Sequence, residues 1–258
     1  MHYSQEREKG EEREDNCIYG IRAVIEAIKA GKEIDKILLQ RGLSNDLFGQ
    51  LRKELVGKEI PYQFVPPEKL RRVSNANHQG VIAYLANVTY YKAEELLQDL
   101  FEKGKIPFVL ILDRVTDVRN FGAIARSAEC AGVDFIIIPS RGAAQINADA
   151  IKTSAGALHR IPVCREDNLK DTIDYLKSSG LKIFACHEKT ENTIYTVDYS
   201  EPLAVIMGSE ENGISGEYLK RSDAQIKIPM AGNISSLNVS VATGIVLFEI
   251  LRSRTAGS

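Results

Sequence analysis

The stretch Phe108-Val109-Leu110-Ile111-Leu112-Asp113-Arg114-Val115-Thr116-Asp117-Val118-Arg119-Asn120-Phe121-Gly122-Ala123-Ile124-Ala125-Arg126-Ser127-Ala128 changes character twice. Phe108–Leu112 is apolar at every position, which marks a strand covered on both faces, as in a parallel sheet between helices. A polar turn follows, and the residues from Asn120 to Gly132 read as a helix that Asn120 is placed to cap. In open α/β sheets ligands lie beyond the carboxyl ends of the strands, so this turn is a candidate site wall. Arg126 stands beside Ile124, Ala125 and Ala128; a guanidinium there needs a partner or a job, unless it simply snorkels to the surface.

The same alternation continues downstream. Strands are predicted at Phe135–Ile138, Ile183–Cys186, Leu203–Met207 and Ala224–Ile228, with a last helix from about Asn238 to Arg252. Residues 106–258 thus read as one parallel-sheet α/β domain. Upstream, residues 89–105 read as a linker with a helical turn or two at Ala93–Phe101. Residues 16–88 form a smaller α/β domain: an amphipathic helix carrying Ile21, Val24, Ile25 and Ile28 and stopped by Gly31, a strand at Lys36–Gln40, and a helix capped by Asn45. A strand at Tyr62–Val65, a short helix through Val73 and a strand at Val81–Ala86 complete it. Residues 1–15 carry six acidic and three basic groups without hydrophobic periodicity and read as a disordered tail.

With 258 residues, 44% hydrophobic and 26% charged, the chain has an ordinary globular composition. It contains no apolar run long enough for a membrane helix and no signal-peptide pattern, so the expected compartment is the cytoplasm. The four cysteines are far apart, which excludes a zinc ribbon and a disulfide framework, and the four histidines have no metal-ligand spacing, so no metal is expected. The net charge of −2 argues against a general polyanion binder, but residues 16–88 hold eleven basic and seven acidic groups while the rest is acidic. A basic module on a near-neutral body fits a division between touching phosphates and doing chemistry.

Two further turns match the first in kind. Ile206-Met207-Gly208-Ser209-Glu210-Glu211-Asn212-Gly213-Ile214-Ser215 runs an apolar strand into a glycine-bounded turn. There Gly208 would let a ligand approach the backbone and Glu210 supplies an acceptor, with Ser215 placed to cap the next helix. Ile228-Pro229-Met230-Ala231-Gly232-Asn233-Ile234-Ser235-Ser236-Leu237-Asn238-Val239-Ser240-Val241-Ala242-Thr243-Gly244 leads into a helix of small residues, with Ser236 and Asn238 as polar groups at its entry. The common nucleotide fingerprints are missing. No Gly-x-Gly-x-x-Gly follows a strand, and Gly208-x4-Gly213 lacks the lysine a phosphate-binding loop needs. Cys186-His187-Glu188 looks chemical, but neighbours on a strand point to opposite faces.

Taken together, Leu112-Asp113 with Asn120-x5-Arg126, Gly208-Ser209-Glu210-x-x-Gly213, and Ile228-Pro229-Met230-x5-Ser236-Leu237-Asn238-Val239-Ser240-Val241-Ala242 resemble the three motifs of the SpoU/TrmH class of RNA ribose 2′-O-methyltransferases, in the right order. Ile18–Ala27 and Asn77–Ala83 resemble that family's substrate-binding domain, which is similar to ribosomal protein L30e. The resemblance implies a C-terminal parallel sheet tied into a deep trefoil knot and a small L30e-like N-terminal domain. It implies S-adenosylmethionine as cofactor, held at Gly208, Ile228 and Leu237 with Met230 nearby, and a homodimer completing the site. It implies catalytic roles for Arg126, Asn120, Glu210, Ser236 and Asn238, and an RNA substrate. Within the family the subgroup most alike methylates a guanosine in the peptidyl-transferase centre of 23S ribosomal RNA; transfer RNA or another ribosomal nucleotide is the alternative. A catalytically silent RNA-binding protein is the rival of another class, and the presence of Arg126, Glu210 and Asn238 speaks against it. The family assigns the base role to the arginine, but arginine holds its proton at accessible pH, so electrostatic stabilisation of the forming alkoxide is the softer reading. The chain departs from the family pattern at Val118, where proline is frequent, and at Glu211, where glycine is common.

Overall fold

The structure, a computed structural model, describes residues 17–58, 60–233 and 236–256, so the expected disordered tail lies outside the described residues. The chain divides into two compact units, residues 1–87 and 88–258.

The first unit is a four-stranded sheet in the order β1-β4-β2-β3, formed by β1 (Cys17–Tyr19), β2 (Ile34–Gln40), β3 (Tyr62–Val65) and β4 (Val81–Leu85). Helices α1 (Ile21–Lys29), α2 (Asp46–Leu55) and α3 (Pro67–Val73) connect them. The i, i+3, i+4, i+7 stripe of α1 is buried against Leu51, Ile37 and Leu39. Asn45 caps α2, its side chain accepting from the Phe48 N–H at 2.8 Å.

The second unit is built on a seven-stranded sheet whose strands all pair in parallel. Its strands are β5 (Tyr90–Tyr91), β6 (Phe108–Asp113), β7 (Phe135–Pro139), β8 (Val163–Glu166), β9 (Lys182–Cys186), β10 (Leu203–Gly208) and β11 (Ala224–Ile226). The helices are α4 (Ala93–Glu102), α5 (Val118–Cys130), α6 (Ala148–Thr153), α7 (Leu169–Ser178), α8 (Gly216–Arg221) and α9 (Val239–Ala256). Alternate residues of β6 serve two layers. Phe108, Leu110 and Leu112 pack with Phe121, Ile124, Val246 and Ile250 of α5 and α9, while Val109 and Ile111 pack with Leu97 of α4 and Ile173 of α7. Burial on both faces is what removes every polar residue from Phe108–Leu112.

Residues 89–105, expected as a linker, instead give this unit its edge strand β5 and the covering helix α4. β8 was not expected: its sequence, Val163-Cys164-Arg165-Glu166, is half polar, and its last two residues are only half buried. β11 stops at Ile226, two residues before the expected end. Lys227 forms an isolated bridge with Thr193 rather than continuing the ladder.

The strand order is β11-β9-β10-β6-β7-β8-β5. From β6 the chain moves outward through β7 and β8, then returns to the other side of β6 for β9, β10 and β11. The order therefore reverses between β6 and β10, where Gly208 pairs with Asp113 at the carboxyl ends of both strands. A crevice at such a switch point is where open α/β sheets bind ligands.

Candidate functional site

Three turns meet at this switch point. The first leaves β6 and enters α5. Asp117, not Asn120, caps α5: its carboxylate accepts from the Asn120 N–H at 2.7 Å. Val118 is the first helical residue, a position where proline is favoured but not required, and its side chain packs against the main core. With capping done by Asp117, the Asn120 amide is free to reach across the crevice.

It reaches Glu210. The Asn120 side chain donates to Glu210 Oε1 at 3.1 Å, the Val239 N–H donates to the same oxygen at 3.1 Å, and the Asn238 side chain donates to it as well. Asn238 Nδ2 also donates to Asn120 Oδ1 at 3.0 Å, while its Oδ1 accepts from the Ser240 N–H at 3.0 Å at the start of α9. One carboxylate oxygen thus ties the entries of α5 and α9 to the turn after β10, and a carboxylate at the start of α9 also suits the helix dipole. Among the described residues, Glu210 Oε2 has no hydrogen-bond partner and remains open to a ligand.

The Glu210 turn has a second anchor that sequence reasoning gave no role. Asp113, 2% exposed, accepts from the Ser215 N–H at 2.6 Å and from Arg114 Nε at 2.9 Å. Arg114 takes a left-handed φ of 58° and also donates to the Gly213 carbonyl at 3.4 Å. Its hydrogen bond to Asp113 raises the guanidinium above its ordinary pKa. An aspartate closing an apolar strand, followed at once by arginine, was the available signal. Ser215 stands before α8 but makes no side-chain cap.

Gly208 explains the glycine that resembled a phosphate loop. A Cβ on Gly208 would lie 2.2 Å from the Gly213 carbonyl carbon and 2.4 Å from Ile214 N. Ser209–Gly213 folds back that tightly, closed by a Gly213 N–H to Ser209 carbonyl bond of 2.9 Å.

Ile228 and Leu237 are half buried, and Met230 and Ser236 are exposed, along the loop between β11 and α9. The backbone of 229–233 and of 236–237 makes no backbone hydrogen bond with another described residue. The structure does not bring Arg126 to the Asn120–Glu210–Asn238 cluster. Arg126 lies six positions after Asn120, about 9 Å along the axis and on another face. Arg126 instead lines a cleft of about 250 Å³ with Glu129, Cys130, Ser154, Ala155, Ala157 and Arg160. Cys186 ends β9 with its thiol pushed up to about 11 by burial, so the Cys186-His187-Glu188 run offers no thiolate at neutral pH. Among the described residues no group of three or more His, Cys, Asp or Glu could hold a metal, and no helix is long and apolar enough to cross a membrane.

Replacing Glu210 with alanine removes three accepted hydrogen bonds at an exposed position and is expected to cost about 2 kcal/mol of stability. Glu210→Gln keeps an acceptor oxygen and should recover most of that loss. Urea unfolding of both variants checks this; equal midpoints for alanine and glutamine would show that the cluster holds nothing together.

A parallel sheet with a crevice at its switch point, walled by three polar turns, is the architecture of a ligand-binding α/β domain. Residues 107–248 match the SpoU rRNA methylase family, and residues 17–91 match the substrate-binding domain of RNA 2′-O ribose methyltransferases. The chain belongs to the SpoU rRNA methylase family and is an RNA methyltransferase with that family's trefoil-knotted fold. A TrmH-family relative from Staphylococcus aureus, classed with tRNA/rRNA methyltransferases, is 38% identical over 93% of this chain and 97% of its own. The AdoMet-bound rRNA methyltransferase of Sinorhizobium meliloti has a TM-score of 0.58 and 27% identity, covering 92% of this chain and 87% of that one. The SpoU methyltransferase AviRb of Streptomyces viridochromogenes, in complex with AdoMet, shares the fold with a TM-score of 0.59 at 23% identity, covering 93% of this chain and 91% of its own.

Proposed function

We propose that this protein methylates a ribose 2′-hydroxyl of ribosomal RNA with S-adenosylmethionine, and that the target is a guanosine in the peptidyl-transferase centre of 23S ribosomal RNA. The observation that carries the reading is the meeting of Asn120, Glu210 and Asn238 at the switch-point crevice, beside the loop that leads into α9. The residues fit the cofactor. Ile228, Met230 and Leu237 offer apolar contact, the Gly208 turn brings backbone close, and a cofactor without phosphates needs no phosphate cradle.

When bound, S-adenosylmethionine supplies an activated methyl group on sulfonium. The chain's own residues must place the ribose in line with it, and alignment of this kind is worth several kcal/mol, on the order of a thousandfold or more in rate. Asn120 and Asn238 act as positioning residues that fix Glu210, whose free oxygen can accept from the nucleotide. Ser236, exposed at the same entry, can donate to it. Arg126 binds the target phosphate and stabilises the charge that develops as the 2′-hydroxyl loses its proton. Incubation with methyl-labelled S-adenosylmethionine and separate 23S, 16S and transfer RNAs, followed by mapping of 2′-O-methyl sites, tests the reading. Label confined to transfer RNA would move the target; label on no RNA would remove the function.

The reading includes a homodimer. Val241, Ile245 and Phe248, at 51%, 36% and 48% exposure, form an i, i+4, i+7 stripe on α9. A second copy of this chain placed by a two-fold axis would cover both stripes in one self-complementary contact. Phe248→Glu is expected to halve the mass seen by light scattering at micromolar concentration and to lower activity with it. A wild-type protein that is active at the mass of one chain would overturn the dimer.

A further inference from the structure

The cleft beside Arg126 holds a second arginine, Arg160, to which the proposed chemistry gives no role. It arises where α5 and α6 approach closely: a Cβ on Gly122 would lie 2.7 Å from the Ala150 carbonyl oxygen and 2.8 Å from Thr153 Cβ. Gly122 and Arg126 are four residues apart, so they share a face of α5. That tight approach sets the chain after α6 directly against the Arg126 side. Ala155 and Gly156 then take successive left-handed conformations, φ 50° and 86°, and a short 3-10 turn over Ala157–His159 brings Arg160 back to the same cleft. A non-glycine residue held left-handed costs about 1 kcal/mol or more, so the surrounding contacts impose this path. Ser154, fully buried, pins the base of the turn: its hydroxyl donates to the Ile151 carbonyl at 2.7 Å and accepts from the Leu158 N–H at 3.3 Å.

The product of this path is a cleft with two guanidinium groups from separate elements. Both Arg126 and Arg160 are exposed, and among the described residues neither side chain has a hydrogen bond or an ion pair. Glu129 lines the same cleft and, among the described residues, forms no ion pair with either. Two arginines without an ion-pair partner among the described residues, lining one concave site, suit a ligand that presents acceptor oxygens on more than one side. A phosphodiester has that shape and charge.

We propose that Arg160 and Arg126 form a two-arginine clamp for a backbone phosphate of the RNA, with Arg160 a substrate-binding residue that acts on RNA affinity. The proposal rests on the RNA methyltransferase reading above. The clamp lies apart from the Asn120–Glu210–Asn238 cluster, so the phosphate is gripped by side chains other than those that fix Glu210.

The test compares wild type with Arg160→Gln and Arg160→Lys. Affinity for a 23S ribosomal RNA fragment is measured across a salt series without cofactor, and methyl transfer is measured separately. Loss of one phosphate contact should weaken RNA binding several-fold at low salt and reduce the slope of log affinity against log salt by about 0.7–0.9. KM for RNA should rise with kcat nearly unchanged, the affinity for S-adenosylmethionine should not move, and lysine should restore the salt slope without the full affinity. A merely structural role would shift cofactor affinity and thermal midpoint together and leave the salt slope intact, and that result overturns the clamp, as does an unaltered RNA affinity. If wild type binds RNA but transfers no methyl group, the enzymatic reading fails while the salt slope still decides the clamp.

Discussion

Arg126→Ala is expected to slow methyl transfer by about 10²–10³-fold, in the range found when one charge-stabilising donor is removed from an active site. Affinity for S-adenosylmethionine should stay within about two-fold, because the residues proposed to hold the cofactor lie on other elements. The geometry sharpens the expectation. Arg126 sits about 9 Å along α5 from Asn120, on another helix face, so its proposed contact is separate from the one proposed for Glu210. Loss of the guanidinium should therefore lower kcat and raise KM for RNA, whereas loss of Arg160 should act on KM alone. Arg126→Lys keeps the charge but not the two-pronged donor and should recover only part of the rate. Single-turnover transfer to a 23S ribosomal RNA fragment, with cofactor affinity measured alongside, gives both numbers. Turnover within a few-fold of wild type for Arg126→Ala would remove this residue from the mechanism.

How much of this site could be read from the sequence depends on what holds each part. The strands β6, β7 and β10 announce themselves because burial on both faces leaves an unbroken apolar run. β5 and β8 do not: one is two residues long, and the other carries Arg165 and Glu166 at its half-buried end. Helix α7 carries a readable i, i+4, i+7 stripe in Leu169, Ile173 and Leu176. Asn120, Glu210 and Asn238 were picked out by resemblance, but their contact could not be seen locally, since Asn120 and Glu210 are 90 residues apart and Asn120 and Asn238 are 118 apart. The separation of Arg126 from Asn120 was legible in principle, because six residues turn an α-helix by about 240° past one full turn. Asp113 closes an apolar strand with no partner evident in sequence beyond Arg114, because Ser215 comes to it only when the Glu210 turn folds back across β6. Arg160 belongs to no motif, and only the close approach of α5 and α6 at Gly122 brings it to Arg126.

Gly208→Ala should disable the cofactor side of the site without removing a single polar group. The added methyl would sit 2.2 Å from the Gly213 carbonyl carbon and 2.4 Å from both the Gly213 oxygen and Ile214 N. Real Cβ contacts do not come that close, and all three atoms are backbone, so no side-chain rotation relieves the overlap. The turn must move as a body. It is held at one end by Glu210, through Asn120, Asn238 and the Val239 N–H, and at the other by the Ser215 N–H on buried Asp113. Displacing it strains both anchors at once. Overpacking of this kind costs about 1–3 kcal/mol. Affinity for S-adenosylmethionine should fall by more than about tenfold, the equivalent of about 1.4 kcal/mol, since the turn would leave the crevice wall. Gly216→Ala is the matched control: a Cβ there meets nothing within 4 Å, at the first residue of α8, and stability should stay within about 0.5 kcal/mol of wild type. Urea unfolding and equilibrium dialysis with labelled cofactor measure the two effects separately. A folded Gly208→Ala protein that binds S-adenosylmethionine as wild type does would place the cofactor away from this turn, because the turn cannot keep its path once that methyl is present.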